Sequence, residues 1–227
     1  MKAASNDNPL NRNSRSATAE GWETLFDGVS LNGWHVYNKK SDGAAWKVAD
    51  GALYLDVSKK SGWQTVGGGD LVTDKEFTNF HLQLEWKVAK GGNSGIMFYV
   101  QESPQFEHTW HTGPEMQLLD NAAHSDADIH KHRAGDLYDL IAGNGDPVRP
   151  AGQWNAVDII SSQGRLEFIL NDVSFLKTTL WDENWKQLIE GSKFKKWPDF
   201  GTFRSGKIAL QDHGDPVWFR NIRILNF

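Results

Sequence analysis

The sequence predicts an all-β fold, two antiparallel sheets packed as a sandwich or closed as a barrel. Short runs rich in Val, Ile, Leu, Phe and Trp recur along the chain, Gly- and Asn-centred turns separate them, and only one segment carries a helical pattern. Without crossover helices, a parallel α/β sheet has no way to connect its strands. The 227 residues suit one large β domain, which is expected over residues 21–227. Met1–Glu20 is rich in Asn, Ser and Ala, lacks the apolar stretch of a signal peptide, and reads as a disordered leader.

Structure is expected to begin at Trp22–Phe26, with Asp27-Gly28 as a turn and a short strand after Leu31-Asn-Gly-Trp34, through Tyr37. Ala45–Val48 and Ala52–Val57 flank Asp50-Gly51, the strongest hairpin signal in the chain. Gly67-Gly68-Gly69 punctuates the chain before Asp70–Thr73. In Phe80–Val88 the residues Phe80, Leu82, Leu84, Trp86 and Val88 share one face while His81, Gln83, Glu85 and Lys87 share the other, as a half-buried antiparallel strand requires. Gly91-Gly92-Asn93 turns into a strand over Ser94–Gln101, and Pro114–Asp120 is a further strand. Residues 121–137, with three acids and three His, read as a loop. Trp154–Ser161 and Arg165–Leu170 form a hairpin, and Asn171-Asp172 leads into Val173–Leu180. Asp182–Glu190 is the one helix, and Phe200–Asp212 and Val217–Phe227 close the chain.

Composition removes several function classes. There is no cysteine, so disulfides, thiolate metal sites and thiol nucleophiles are excluded. The net charge is -5 with interspersed signs, and no basic stripe is available to neutralise the phosphates of a nucleic acid. Lys193, Lys195 and Lys196 form the only basic cluster, read as a solvated face. No segment has the length of a membrane span. Gly67-Gly68-Gly69 lacks the Lys and helix of a phosphate loop, and no Gly-x-Ser-x-Gly elbow exists. Eleven Trp and twelve Phe exceed what a core of this size usually takes, which leaves two or three indoles for a binding surface.

Strand alternation then groups the polar residues. If Met116 and Leu118 face the core, Glu115 and Gln117 face away; if Ile208 and Leu210 face the core, Gln211 and His213 face away. In the last strand Phe219, Ile222 and Ile224 break the period of two, which predicts a bulge near Arg220-Asn221 and turns Trp218 and Arg220 outward. Glu115, Gln117, Gln211, His213, Trp218 and Arg220 are therefore expected on one concave sheet face, with Asp212 at its rim. Residue by residue, a solvated strand face explains each of them; as a set they lack the Lys and Thr that usually fill such a face.

The ordered motifs Leu25-Phe-Asp-Gly28, Leu31-Asn-Gly-Trp34, Leu84-Glu-Trp86, Gly92-Asn-Ser-Gly-Ile96, Gly113-Pro-Glu115 with Gln117, Ala134-Gly-Asp-Leu-Tyr-Asp-Leu140, Pro150-Ala-Gly with Trp154-Asn155, and Leu210-Gln-Asp-His-Gly resemble those of the DUF1080 family, the 3-keto-disaccharide hydrolase domain. The resemblance runs from about Trp22 to the C-terminus. It implies a concanavalin-like jelly roll, activity on 3-keto sugars and, usually, an exported bacterial protein, periplasmic or extracellular.

The implied chemistry assigns roles. A ketone at C3 acidifies the C2 hydrogen, so a base, an oxyanion stabiliser and a leaving-group acid are needed; an ordinary glycosidase instead flanks the bond with two carboxylates. Glu115 or His213 is the candidate base, Asp212 its partner or the acid, and Arg220 or a metal the oxyanion stabiliser. Asn93, Gln117 and Gln211 are candidates to bind hydroxyls, and Trp110, Tyr138 and Trp218 to stack on or hydrogen-bond the ring. A divalent metal is weighed on His108 and His111 and on His124, His130 and His132 with Asp126 and Asp128, as a transition ion or as Ca²⁺ on the acidic loop; the spacings match no strict metal motif. The alternative to the enzyme is a non-catalytic carbohydrate-binding module, and a weaker one an accessory domain for a partner protein, since fold alone decides none of these.

Overall fold

The structure is a computed structural model that describes residues 21–227; the expected leader Met1–Glu20 lies outside them. In chain order its strands are β1 (Trp22–Thr24), β2 (Trp34–Val36), β3 (Trp46–Ala49), β4 (Ala52–Leu55), β5 (Lys60–Ser61), β6 (Gln64–Thr65), β7 (Leu71–Thr73) and β8 (Phe80–Val88). They continue as β9 (Asn93–Val100), β10 (Glu115–Leu119), β11 (Asn155–Ser162), β12 (Arg165–Leu170), β13 (Val173–Thr179), β14 (Lys207–Leu210) and β15 (Val217–Asn226). The helix α1 (Glu183–Glu190) starts where Asp182 accepts the Trp185 N–H at 2.7 Å, as a capping Asp should.

Two antiparallel sheets face each other. The larger runs β13-β12-β11-β8-β15-β4-β3, with β1 also paired to β15; the smaller runs β10-β9-β14-β7-β2. The Asp50-Gly51 hairpin joins β3 to β4 with both turn residues at positive φ, the conformation that favours this dipeptide. The expected bulge is present: the β15–β8 register shifts between Arg220 and Arg223, and Asn221 takes φ 54°. The bulge lets Phe219 and Ile222, three positions apart, both reach the core.

The core is the layer between the sheets. Phe80, Leu82, Leu84, Trp86 and Val88 of β8 are buried in it, and their alternates are half-buried, as the pattern predicts. Phe98 of β9 meets Phe168 of β12 edge-on at 6.2 Å, joining the two sheets through the middle. The smaller sheet differs from the larger: every residue of β9, β10 and β14 is buried. Its second face is covered by a roof of loops, and a small cluster of Tyr37, Val72, Met97, Val100 and Ala209 with Trp110 packs there.

Sequence periodicity gives no sign of the hairpin β5–β6, because two-residue strands have no alternation to show. It stands apart from both sheets over the smaller one. Phe98→Ala is expected to lower unfolding free energy in urea by about 3–5 kcal/mol with little change in m-value, since it empties the contact between the sheets.

Candidate active site

On the smaller sheet alternation assigns faces. Met116, Leu118, Ile96, Phe98, Ile208 and Leu210 belong to the main core, so Glu115, Gln117, Gly95, Met97 and Ala209 face the other way. A cavity of about 260 Å³ opens on that second face. Glu115, Gln117, Asn93, Gln211 and His213 line it from the strands and their ends, with Tyr138 and Trp110 from the roof. Seven of the ten residues singled out from sequence thus meet in one hollow. Glu115 and His213, far apart in the chain, share it.

Glu115 owes its position to a glycine. On the neighbouring strand, diagonal to Glu115 and paired with Gln117, lies Gly95, where any Cβ would overlap the Glu115 carboxyl. The backbone N–H of Tyr138 donates to the Glu115 carbonyl at 2.9 Å, so the 134–141 segment runs along β10 as a further edge and brings the Tyr138 ring to the cavity. Among the described residues no group hydrogen-bonds to the Glu115 carboxyl. Burial raises its pKa to about 8, against an opposing pull from Lys193, and Asp70 and Asp126 add to the rise. His213 is pushed the other way: burial lowers its pKa, so its imidazole is neutral at pH 7.

The amide groups are poised for a ligand. Asn93 Oδ1 and Gln211 Oε1 are buried with no hydrogen-bond partner among the described residues, and both residues line the cavity. Gln117 Oε1 accepts the Leu118 N–H at 3.2 Å, which leaves its NH₂ free to donate.

Four lining residues were not read from sequence: Trp63, Lys193, Phe194 and Trp197. Among the described residues Lys193 is the only Lys or Arg that lines the cavity, and its Nζ lies 4.0 Å from the Tyr138 ring centre. Burial lowers its pKa, opposed by the nearby carboxyls of Glu115, Asp139 and Asp126. Asp139 Oδ2 accepts the Lys193 N–H at 2.7 Å, and Asp139 Oδ1 lies 3.0 Å from His132 Nε2. All three lysines of the cluster read as a solvated face are exposed, and Lys193 alone of them also lines the cavity. A signal was present: Phe194 and Trp197 are interleaved with these lysines, and a solvated turn has no use for them. Trp110 stacks on His108 at 4.8 Å and meets Trp197 edge-on at 4.7 Å, which stiffens the aromatic wall.

Three expected site residues lie elsewhere. Trp218 and Arg220 do point away from the core, but β15 belongs to the larger sheet, so they point out of the opposite side of the sandwich. There Arg220 pairs with Glu85 at 2.7 Å and covers Trp154 at 4.1 Å, while Lys87 lies 4.6 Å from Trp218. Asp212 is fully buried and does not line the cavity. Its carboxylate accepts from Thr65 N–H and Oγ1, Gly69 N–H and Gly214 N–H at 2.7–3.1 Å. The expectation of an acid at the rim fails because these donors close around it.

As to a metal, no group of three or more His, Cys, Asp or Glu side chains among the described residues is arranged to hold one. His108 and His111 are engaged by the indoles of Trp110 and Trp197, and His132 lies between Asp126 and Asp139. No helix among the described residues is long and apolar enough to cross a membrane.

The profile of a family described as the 3-keto-alpha-glucoside-1,2-lyase-like domain matches residues 21–225. A Bacteroides thetaiotaomicron protein named 3-keto-disaccharide hydrolase is 38% identical over 227 residues, 91% of this chain and 78% of that one. A crystal structure from Parabacteroides distasonis, provisionally assigned as a glycosyl hydrolase, superposes with TM-score 0.81 at 30% identity, covering 96% of this chain and 98% of the other. A family GH16 endo-β-1,3(4)-glucanase, at TM-score 0.53 and 11% identity over 93% of this chain and 97% of its own, shares the fold, a jelly-roll sandwich.

Asp212→Asn is expected to lower stability by about 1–3 kcal/mol in denaturant titration, because the amide cannot accept from all four donors without facing its own NH₂ toward one.

Proposed function

The chain belongs to the family of 3-keto-α-glucoside-1,2-lyase-like domains and is a glycoside-processing enzyme; we propose that it cleaves 3-keto-glycosides by removing the C2 hydrogen and expelling the C1 substituent, with water then adding at C1. The observation that carries this reading is the charge inventory of the cavity. Among the described residues it is lined by one carboxyl, Glu115, and one ammonium, Lys193, with the neutral imidazole of His213. Ordinary glycoside hydrolysis calls for two carboxylates flanking the bond. One base facing one cation instead suits a substrate with an acidic C–H next to a carbonyl.

This reading gives each lining residue a role. Ionised Glu115 takes the C2 hydrogen as a proton, and the C–H electron pair moves toward the C3 oxygen, where Lys193 stabilises the negative charge. The enolate then forms the C1–C2 double bond and breaks the C1–O bond. The departing oxygen takes a proton from His213, which recovers one from Glu115, so that the products are a free alcohol and an unsaturated 3-keto sugar. Addition of water across that double bond completes a net hydrolysis. The free amides of Asn93, Gln117 and Gln211 bind ring hydroxyls, and Trp110 and Trp197 wall the ring. Tyr138, whose pKa is raised by burial and by Glu115, stays protonated and can donate a hydrogen bond. Lys193 takes the part first given to Arg220. The resemblance to exported proteins extends the proposal to a periplasmic or extracellular setting.

Glu115→Gln is expected to cut release of the alcohol from a 3-keto-disaccharide by about a thousandfold while leaving the circular dichroism unchanged; wild-type rates would remove Glu115 from the reaction. Since Glu115 acts only when ionised, kcat/KM should rise with pH and level off above about 8. The same burial has a thermodynamic side. The folded state holds the Glu115 proton more tightly than the unfolded chain, so its contribution to stability is intact below the ordinary value of 4.5 and is lost as pH rises toward about 8. Glu115→Gln should therefore gain in Tm relative to wild type between pH 4 and pH 9, by at least about 3 °C. Lys193→Met should lower kcat by about a hundredfold, with KM changed far less, because the charge it meets develops only in the transition state.

A further inference from the structure

The outer face of the larger sheet, on the far side of the sandwich from the cavity, carries aromatic residues that the reaction above does not use. We propose that this face binds an acidic polysaccharide in which carboxylated sugars alternate with neutral ones, and that the Lys87 ammonium, held between the indoles of Trp154 and Trp218, meets the carboxylate. Such a surface serves a glycan-processing protein whatever the chemistry of its cavity.

One row of residues crosses the sheet there. Tyr54 of β4 lies opposite Trp218 of β15, and Trp218 lies opposite Lys87 of β8. Trp154, just before β11, stands on the other side of Lys87. The Lys87 Nζ is 4.6 Å from the Trp218 ring centre and 4.8 Å from that of Trp154. All four side chains are half-buried. Core packing does not account for the rings: among the described residues, Tyr54, Trp154 and Trp218 belong neither to the core nor to the apolar residues packed against it. Several large rings gathered on one outer face mark a binding surface.

The charges around Lys87 are matched except for its own. Arg220 gives its Nε and Nη2 to Glu85 at 2.8 and 2.7 Å, Arg223 Nε donates to Gln83 Oε1 at 2.8 Å, and His81 Nε2 lies 2.7 Å from Asp158. Lys87 has no carboxylate partner among the described residues; burial, and after it the charge of Arg220, lower its pKa. Both cations lie over the Trp154 ring, Arg220 at 4.1 Å and Lys87 at 4.8 Å, so two like charges share one indole. An anion at Lys87 offsets its lost hydration and this repulsion together. The charge wanted is single, on a chain whose own net charge is -5. A nucleic acid, with a phosphate at every step, would meet Glu85 and too few cations. One carboxylate between neutral rings matches the face.

The indoles set the spacing. Trp154 and Trp218 stand on the two sides of β8, two strand spacings apart, which is about 10 Å. In an extended sugar chain that is the step between alternate rings, not between adjacent ones. Neutral rings over the two indoles leave the ring between them over Lys87, where its carboxylate is needed.

The probe is a hyaluronan hexasaccharide, in which glucuronate and N-acetylglucosamine alternate, titrated into the whole protein by calorimetry at about 0.15 M salt. Binding with a Kd below about 1 mM is expected. Lys87→Met keeps a side chain between the indoles and should weaken binding about tenfold, and Trp218→Ala should weaken it by a similar factor. Neutral chitohexaose should bind about tenfold more weakly than the hyaluronan fragment and respond little to Lys87→Met. Glu115→Gln, in the cavity on the other side, should hold the probe as the wild type does. Failure of the unsubstituted protein to bind it, full affinity in Lys87→Met, loss of binding in Glu115→Gln, or tighter binding of a thymidine hexanucleotide would each overturn the proposal. The keto-sugar reading stands or falls separately, on release of alcohol.

Discussion

A sheet covered on one face by a second sheet and on the other by loops can carry a carboxyl only in a dry place, and the behaviour of Glu115 follows from that constraint. On a solvated strand face the same residue would be an ordinary acid. Here every residue of β10 is buried, the space for the side chain is made by the missing Cβ of Gly95, and no described group bonds to the carboxyl. Desolvation is thus the main cause of its shift, and Lys193, which lines the same cavity, moderates that shift without cancelling it. The unpartnered amide oxygens of Asn93 and Gln211 belong to the same economy of burial. Groups left unsatisfied in the empty protein are ready for a polar ligand to satisfy.

Strand alternation made much of this legible from the sequence. It separated Glu115, Gln117, Gln211 and His213 from the core residues beside them, and the structure brings all four into one cavity. It also located the bulge at Arg220-Asn221 and the outward turn of Trp218 and Arg220. What alternation cannot report is the sheet to which a strand belongs. Both faces turned away from the core look alike in sequence, yet they lie on opposite sides of the sandwich, and that is how Trp218 and Arg220 came to be grouped with residues they never meet. Pairing partners, which decide the matter, are non-local.

The roof was harder to read than the floor. Lys193, Phe194 and Trp197 belong to a short 3-10 turn and the residue after it, and Trp63 to the turn of a two-residue-strand hairpin; neither segment has a period to interpret. Their positions depend on tertiary ties, the Asp139 carboxylate on the Lys193 N–H in one case and the Asp212 carboxylate beneath Thr65 in the other. Asp212 shows the converse. A polar residue beside Gln211 and His213 looked reactive, but a carboxylate with four donors around it fixes backbone instead. Residue type marked the neighbourhood but could not say which of its polar atoms are left free for a ligand.

The pairing of β1 with β15 has a further bearing on the molecule as a whole. Trp22 lies opposite Leu225 and Thr24 opposite Arg223, so the two extremes of the described chain are stitched side by side in one ladder. The backbone traces a near-closed ring. A short linker across that seam, with a new opening made in an exposed turn such as that near Gly145, would reorder the sequence while every strand kept its neighbours. By the same token the seam secures both extremities at once, and fraying at either one must undo part of the other's hold.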